Sequence, residues 1–303
     1  MKLDFLPERF IRSLEFLKFE SLHELRLRAE KPSIIDYGGK KYLGECGVSQ
    51  NDEDILIPKL KEIADIVFNA CERSIYAHND KLKAGYVTVN GIRIGICGRA
   101  VTEGEKITTL KEFCSLNIRF PHQVKNCSLN ALPFLIDSDQ IYSTLVVSPP
   151  GGGKTTFLRD LARLISQRGV ANNVLIIDER DEICCMQQGV PYLDVGCCDV
   201  YSGVSKEWGI INGIRTLAPD VIMLDGIITK SDCAALEYAI GCGVSVIATV
   251  HSLGWNELFD KPLLKNVMNS QIFDRIVVLS KRNGVGTIEG VLNGDGKLLW
   301  EGK

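Results

Sequence analysis

The sequence predicts an α/β fold in which a parallel sheet, covered on both faces, follows a smaller N-terminal α+β domain. Three observations carry this reading. From about residue 140 onward, short apolar runs alternate with helical patterns. Before that point, strand, helix and hairpin signatures follow one another without such alternation. Between the first apolar run of the second half and the helix after it lies a glycine-rich turn, Ser148-Pro149-Pro150-Gly151-Gly152-Gly153-Lys154-Thr155-Thr156. The 303 residues suggest two domains at ~100–200 residues each. They are placed at 1–135, including a linker, and 136–303.

Glu24-Leu25-Arg26-Leu27-Arg28 alternates charged and apolar residues, as a half-buried strand does. Ile55, Ile57, Leu60, Ile63, Ile66 and Val67 recur at helical spacing, so a helix is expected within Ile55–Cys71. Tyr86–Val89 and Ile92–Ile96 flank Asn90-Gly91. Asn-Gly between two such runs marks a hairpin, because a type I′ turn needs positive φ at both central residues. Pro121, Ser128, Pro133, Asp137 and Asp139 mark a linker or small connecting helix, with the domain boundary in 125–140.

The second half then reads as buried strand Ile141–Ser148, helix Lys154–Gln167, strand Val174–Asp178 and helix Trp208–Thr216. Strand Val221–Asp225 follows, then helix Ser231–Ile240 with Ser as its cap. Strands Val244–Val250 and Ile276–Leu279 come next, and Gly286–Trp300 reads as a terminal hairpin turning at Asn293–Gly296.

With 35 basic and 38 acidic side chains the net charge is −3. That excludes a strongly basic, sequence-independent nucleic-acid binder, although Lys81, Lys83, Arg93 and Arg99 remain a candidate local basic face. The N-terminus MKLDFLPERFIRSLEF has no long apolar core of a signal peptide. No run approaches the ~18 apolar residues of a membrane span. A cytoplasmic protein is expected, and its 11 cysteines then read as reduced thiols. The adjacent pairs Cys184-Cys185 and Cys197-Cys198 lack the CxxC spacing of a zinc site and read as small buried hydrophobes.

The glycine-rich turn sits where a phosphate-binding loop must sit, between a buried strand and a helix. Its glycines let backbone N–H groups turn inward around phosphates. Pro150, Gly151, Gly152, Gly153, Lys154, Thr155 and Thr156 are the expected nucleotide-binding residues. Lys154 supplies a charge at the β/γ position and the Thr155 hydroxyl a ligand for Mg²⁺. The usual opening Gly is here Ser148. Val221-Ile222-Met223-Leu224-Asp225 is an apolar strand ending in aspartate, and Asp225 is the second expected Mg²⁺ residue. The next position, where many ATPases carry a Glu that activates water, is Gly226.

A base is available elsewhere. In RecA-like and rotary ATPases the catalytic Glu ends the strand after the P-loop helix. Asp178-Glu179-Arg180 resembles the sequence found there, which makes Glu179, and secondarily Glu182, a candidate to polarise water. His251, after the buried run Ile247–Val250, is a candidate to sense the γ-phosphate. ATP and Mg²⁺ are the expected cofactors, on a RecA-like P-loop NTPase core.

Together these residues resemble the stage III sporulation protein AA family, relatives of the type II and type IV secretion ATPases. The resemblance rests on Glu24–Arg28, Asn90–Val101, Ser115–Arg119, Ser148–Thr156, Ile177–Ile183, Ala218–Asp225 and Thr249–His251, and runs along most of the chain. It implies an ATPase on the mother-cell side of an endospore former. Such a protein energises a secretion-like channel between mother cell and forespore, as a homo-oligomeric ring, often a hexamer, docked on membrane proteins. It also implies that arginines of the N-terminal domain reach the nucleotide, for which Arg99 and Arg119 are the candidates. Two departures from the family pattern stand out: Gly226 replaces the Walker B Glu, and Cys197-Cys198 stands where an arginine-containing pair is usual. A second reading therefore stands beside the motor, a nucleotide-gated assembly module that binds ATP without hydrolysing it. A nucleic-acid-handling P-loop protein is disfavoured by the slightly acidic charge.

Overall fold

The structure is a computed structural model that describes residues 2–72, 74, 79–104, 106–137, 140–167, 173–227, 229–260 and 262–302. The chain divides into two compact units, Met1–His122 and Gln123–Lys303.

The first unit contains α1 (Glu8–Glu15), β1 (Leu22–Arg28), β2 (Ile34–Tyr37), β3 (Lys40–Gly44), β4 (Gly47–Val48), α2 (Leu60–Ala70) and α3 (Asn79–Lys83). It ends in β5 (Tyr86–Val89), β6 (Ile92–Glu103) and β7 (Lys106–Arg119). The sheet runs in the order β4-β3-β2-β1-β7-β6-β5, with antiparallel neighbours. β1 alternates as its sequence demands: Leu25 and Leu27 are buried, while Glu24, Arg26 and Arg28 are half-buried. Their apolar face packs with Phe10, Leu14, Ile63, Ile66 and Val67 in one core. The Asn90-Gly91 turn has φ of 52° and 73° and closes the pair Val89–Ile92, the hairpin expected from sequence. The α2 helix starts later than the apolar spacing suggested. Ile55 bridges to Gly44 as extended chain, Pro58 breaks the run, and the Glu62 carboxylate accepts the Lys59 N–H at 2.7 Å to set the first turn.

The second unit opens with α4 (Leu132–Leu135), β8 (Ile136–Asp137), β9 (Gln140–Ile141), β10 (Thr144–Ser148), α5 (Lys154–Ser166) and β11 (Val174–Asp178). Next come β12 (Met186–Gln187), β13 (Val190–Pro191), β14 (Asp199–Ser202), α6 (Lys206–Leu217), β15 (Val221–Leu224) and α7 (Lys230–Gly241). It closes with β16 (Ser245–His251), α8 (Pro262–Asn269), β17 (Arg275–Ser280), β18 (Thr287–Asn293) and β19 (Leu298–Glu301). The sheet order is β14-β11-β15-β16-β10-β17-β18-β19. Pairs from β14 to β17 are parallel, and β18 and β19 add the antiparallel terminal hairpin. Successive residues of β10 face opposite ways, so Val146 joins the core with Phe157 and Leu161 of α5, and Leu145 and Val147 join the core with Leu236 and Ala239 of α7. That is the doubly covered sheet the alternating pattern predicted, and the fold is a RecA-like α/β core with a smaller mixed unit before it.

Four local features differ from expectation. The cap of α7 is Thr229 rather than Ser231: its hydroxyl accepts the Asp232 N–H while the Asp232 carboxylate accepts the Thr229 N–H, a reciprocal box. The run Ile141–Ser148 is split, because the Ser143 N–H donates to Asp274 at 3.0 Å and the parallel strand starts only at Thr144. β14 was not foreseen; it is a short edge strand whose residues are no more than half-buried and so carry little apolar signal. Residues 123–135, grouped on sequence with the first domain and its linker, bond into the second unit through Gln123 and Lys125 to Asp194 and through Asn126 and Ser128 to Asp160.

Candidate functional site

β10 is buried along its length and ends at Ser148, where the chain must turn before α5. Pro149 and Pro150 stop the strand, and the Gly152 N–H closes the turn on the Pro149 carbonyl at 3.0 Å. Gly153 caps α5 with a φ of 93°, a left-handed conformation that disfavours any side chain. A Cβ there would also lie 2.9 Å from the Cα of Gly286, whose N–H donates to the Gly152 carbonyl at 3.1 Å. Gly153, as the N-cap of this 13-residue helix, offers no side chain to its first N–H groups, and the positive end of a helix dipole favours an anion. This turn fits phosphate groups.

Lys154 is buried and its Nζ lies 2.9 Å from Nδ1 of His251. Burial pulls the ammonium below its usual range, and the Asp225 carboxylate partly restores it. The Thr155 hydroxyl donates to Asp225 Oδ2 at 2.5 Å. Asp225 Oδ1 accepts from the Thr249 hydroxyl, and that oxygen in turn accepts the Gly226 N–H at 2.9 Å. Strand register explains the gathering. Ser148 stands opposite His251, so β10 and β16 end together, and Leu224 stands opposite Ala248, so Asp225 follows beside Thr249 on the same carboxyl side of the sheet. A Thr hydroxyl and an Asp carboxylate are hard oxygen donors, which fit Mg²⁺ rather than a softer metal.

The other acidic candidates are held differently. β15 and β16 stand between β11 and β10, so the end of β11 is not beside the phosphate turn in the sheet. Asp178 is buried and accepts the N–H groups of Glu182, Ile183 and Cys184 at 2.8–2.9 Å, which shapes the loop carrying both glutamates. Burial raises its carboxyl to about 6 against those hydrogen bonds. Glu179 meets the buried ammonium of Lys206 at 2.5 Å. The buried Arg159 guanidinium donates to the carbonyls of Glu182 and Ile183, tying α5 to this loop. The structure thus pairs Lys154 with His251 and Thr155 with Asp225 at the carboxyl side of the central strands and gives Glu179 its own cation.

Arg99 and Arg119 belong to the first unit. Arg99, on β6, faces Glu112 across the sheet at 3.6 Å with both side chains exposed, and Arg119 is the exposed last residue of β7. Of the proposed basic face, Arg93 lies over the Tyr86 ring at 4.2 Å, and the side chain of Lys81 lies outside the described residues. Cys184 and Cys185 are buried as expected, and burial pushes the Cys185 thiol up to about 12. Cys197 is exposed, contrary to the reading of that pair as buried hydrophobes.

Sequence reasoning missed Thr249, Lys206, Arg159 and Lys281. The signal for Thr249 was a hydroxyl inside an apolar strand, where it is fully buried. The others announce nothing locally. Lys281 follows β17, and its Nζ would lie 3.1 Å from a Cβ built on Gly151, a proximity only the sheet creates.

The family model described as sporulation stage III, protein AA, matches residues 6–299. The stage III sporulation protein AA of Bacillus subtilis (strain 168) is 33% identical over 304 residues, covering 97% of this chain and 95% of the relative. Among solved structures, the pilus retraction motor PilT with bound ADP superposes with a TM-score of 0.57 at 16% identity, covering 89% of this chain and 76% of that one. The Legionella pneumophila ATPase DotB gives 0.54 at 16% identity, covering 90% and 77%. At that identity the likeness shows the shared fold.

Proposed function

The chain belongs to the sporulation stage III protein AA family, and from that premise we propose that it is a Mg²⁺-dependent, ATP-binding and ATP-hydrolysing motor of endospore formation. In this reading it works in the cytoplasm of the mother cell as a homo-oligomeric ring, on membrane proteins of a channel to the forespore. Among the described residues no helix is long and apolar enough to cross a membrane. Contact with the membrane would then run through partners.

The observation that carries the reading is the cluster at the carboxyl ends of β10, β15 and β16, where Lys154 meets His251 and Thr155 meets Asp225. Backbone N–H groups of residues 151 and 153–156 and the Lys154 ammonium would hold phosphate oxygens. Thr155 and Asp225 would hold Mg²⁺, which supplies charge neutralisation on the phosphates when bound. Thr249 keeps the Asp225 carboxylate turned toward Thr155. His251 is bonded to the same ammonium that a phosphate would engage, so it is placed to feel the phosphate arrive or leave. Glu179 is proposed to polarise water once it leaves Lys206, with Glu182 behind it on the same loop. Arg99 and Arg119 are the proposed source of charge from the first unit.

A specific pair of observations favours the second reading, an assembly module that binds ATP without hydrolysing it: Gly226 has no carboxylate, and Glu179 is tied to Lys206. One assay separates the two. The motor reading expects phosphate release that needs both Mg²⁺ and ATP and vanishes in Lys154→Ala. ATP binding without any such release would establish the module, and absence of ATP binding by calorimetry with Mg²⁺ present would sink both.

A further inference from the structure

Sheet order gives the phosphate turn two different flanks. On one side β16 and β15 bring His251 and Asp225; on the other side β17, β18 and β19 follow in turn. A cavity of about 370 Å³ opens on this second flank, within the ~300–1,000 Å³ of small-molecule pockets. Its walls include Cys127, Asn130, Gly286, Ile288, Trp300 and Glu301, all from the second unit. Two of these touch the phosphate turn and the helix it starts. The Gly286 N–H bonds to the Gly152 carbonyl at 3.1 Å, and the Cys127 thiol reaches the Thr156 carbonyl at 3.8 Å. The cavity therefore begins where the phosphate turn ends, on the flank away from Asp225.

Its chemistry is mixed in a particular way. Ile288 is buried, and Trp300 is a half-buried aromatic ring backed by Phe134, whose centroid is 6.1 Å away at an interplanar angle of 32°. Asn130 brings an amide that both donates and accepts, and Glu301 a carboxylate that accepts. An aromatic wall with an amide and a carboxylate suits a flat heterocycle that bears an amino group. With the terminal phosphate toward Asp225, the flank away from Asp225 is left for the nucleotide's other end, and this cavity opens there.

We propose that this cavity holds the base of the nucleotide, with Trp300 as its stacking wall and Glu301 and Asn130 as its hydrogen-bonding rim. The proposal rests on the nucleotide-binding reading above and adds to it a site for the base, which distinguishes a nucleotide from bare polyphosphate.

The test is calorimetry on the full chain with Mg²⁺, comparing ATP with inorganic tripolyphosphate. ATP should bind more tightly than tripolyphosphate by about tenfold or more, given the usual strength of base–aromatic stacking. Trp300→Ala should weaken ATP by about 5- to 100-fold and leave tripolyphosphate unchanged, whereas Trp300→Phe should keep most of the ATP affinity. Because Trp300 also packs on Phe134, Glu301→Ala, a change at an exposed rim position, provides a second arm; it should weaken ATP alone. Equal binding of ATP and tripolyphosphate to the wild type overturns the base site while leaving the phosphate site standing. So does an ATP affinity unmoved by both Trp300→Ala and Glu301→Ala. Loss of both ligands in Lys154→Ala is expected on either outcome, and failure of the wild type to bind either ligand would overturn the nucleotide reading and this proposal together.

Discussion

Lys154 Nζ stands 2.9 Å from Nδ1 of His251, and since an ammonium has no acceptor, the imidazole nitrogen accepts. The phosphate turn and the end of β16 are thus joined through one proton donor. On the proposed nucleotide-binding reading, a phosphate oxygen would compete with the imidazole for that ammonium. His251→Ala should therefore leave ATP binding near normal and lower turnover by about 10- to 100-fold through lost positioning. Calorimetry and phosphate release, measured side by side, would show the split; a parallel loss of binding would make His251 a binding group instead.

Asp225 accepts two hydroxyls, from Thr155 on one oxygen and Thr249 on the other. An amide has a single accepting oxygen, so Asp225→Asn leaves one hydroxyl without its acceptor. Affinity for Mg²⁺–ATP should fall by about 10- to 100-fold. Binding measured in the presence of a chelator should change much less, and equal losses under both conditions would count against a metal role.

Lys206 is 4% exposed and Glu179 40%, so the pair is lopsided. Glu179→Gln leaves the buried ammonium facing a neutral amide, which should destabilise the chain by about 1 kcal/mol after allowing for solvent at the carboxylate. Lys206→Met removes the charge that needs compensation and should be close to neutral. Turnover should fall by about 100-fold or more in Glu179→Gln with ATP binding retained. Thermal melts and single-turnover phosphate release check both halves.

Asp178 has its carboxyl raised to about 6 by burial, above the ~3.9 of an unfolded chain. Between those values the folded state holds more protons than the unfolded one. Stability should then decline as pH rises from about 4 to about 6 and level off above, and this slope should disappear in Asp178→Asn. Denaturation midpoints across that range provide the check. Because the carboxylate accepts three backbone N–H groups, the same variant should also lose about 1–3 kcal/mol near neutral pH.

Gly153→Ala tests the turn itself. A left-handed φ of 93° and a Cβ contact of 2.9 Å to Gly286 both oppose the added methyl. The strain of the left-handed backbone alone is about 1–2 kcal/mol. ATP binding should drop as far as in Lys154→Ala, measured by the same calorimetry.

Much of the fold was legible because its signals are local. The alternation of β1, the Asn90-Gly91 turn and the apolar runs of β10, β11, β15 and β16 need only neighbouring residues to be read. The places that differed are those where a distant group intervenes. Ser143 is bent by Asp274, and edge strand β14 exists only because β11 offers it a partner.

The sequence by itself determined the two-part plan, the phosphate turn with Lys154 and Thr155, and the candidacy of Asp225, Glu179 and His251. Each of these follows from residue type and short spacing, which the covalent chain carries unaided. Tertiary structure decided which of them meet. Strand register set Ser148 beside His251 and joined Asp225 to Thr155, whereas Lys206, 27 positions after Glu179, took that carboxylate for itself. It also placed Lys281 and Gly286 beside the turn, since the order of strands in a sheet is fixed by crossovers that no local pattern records.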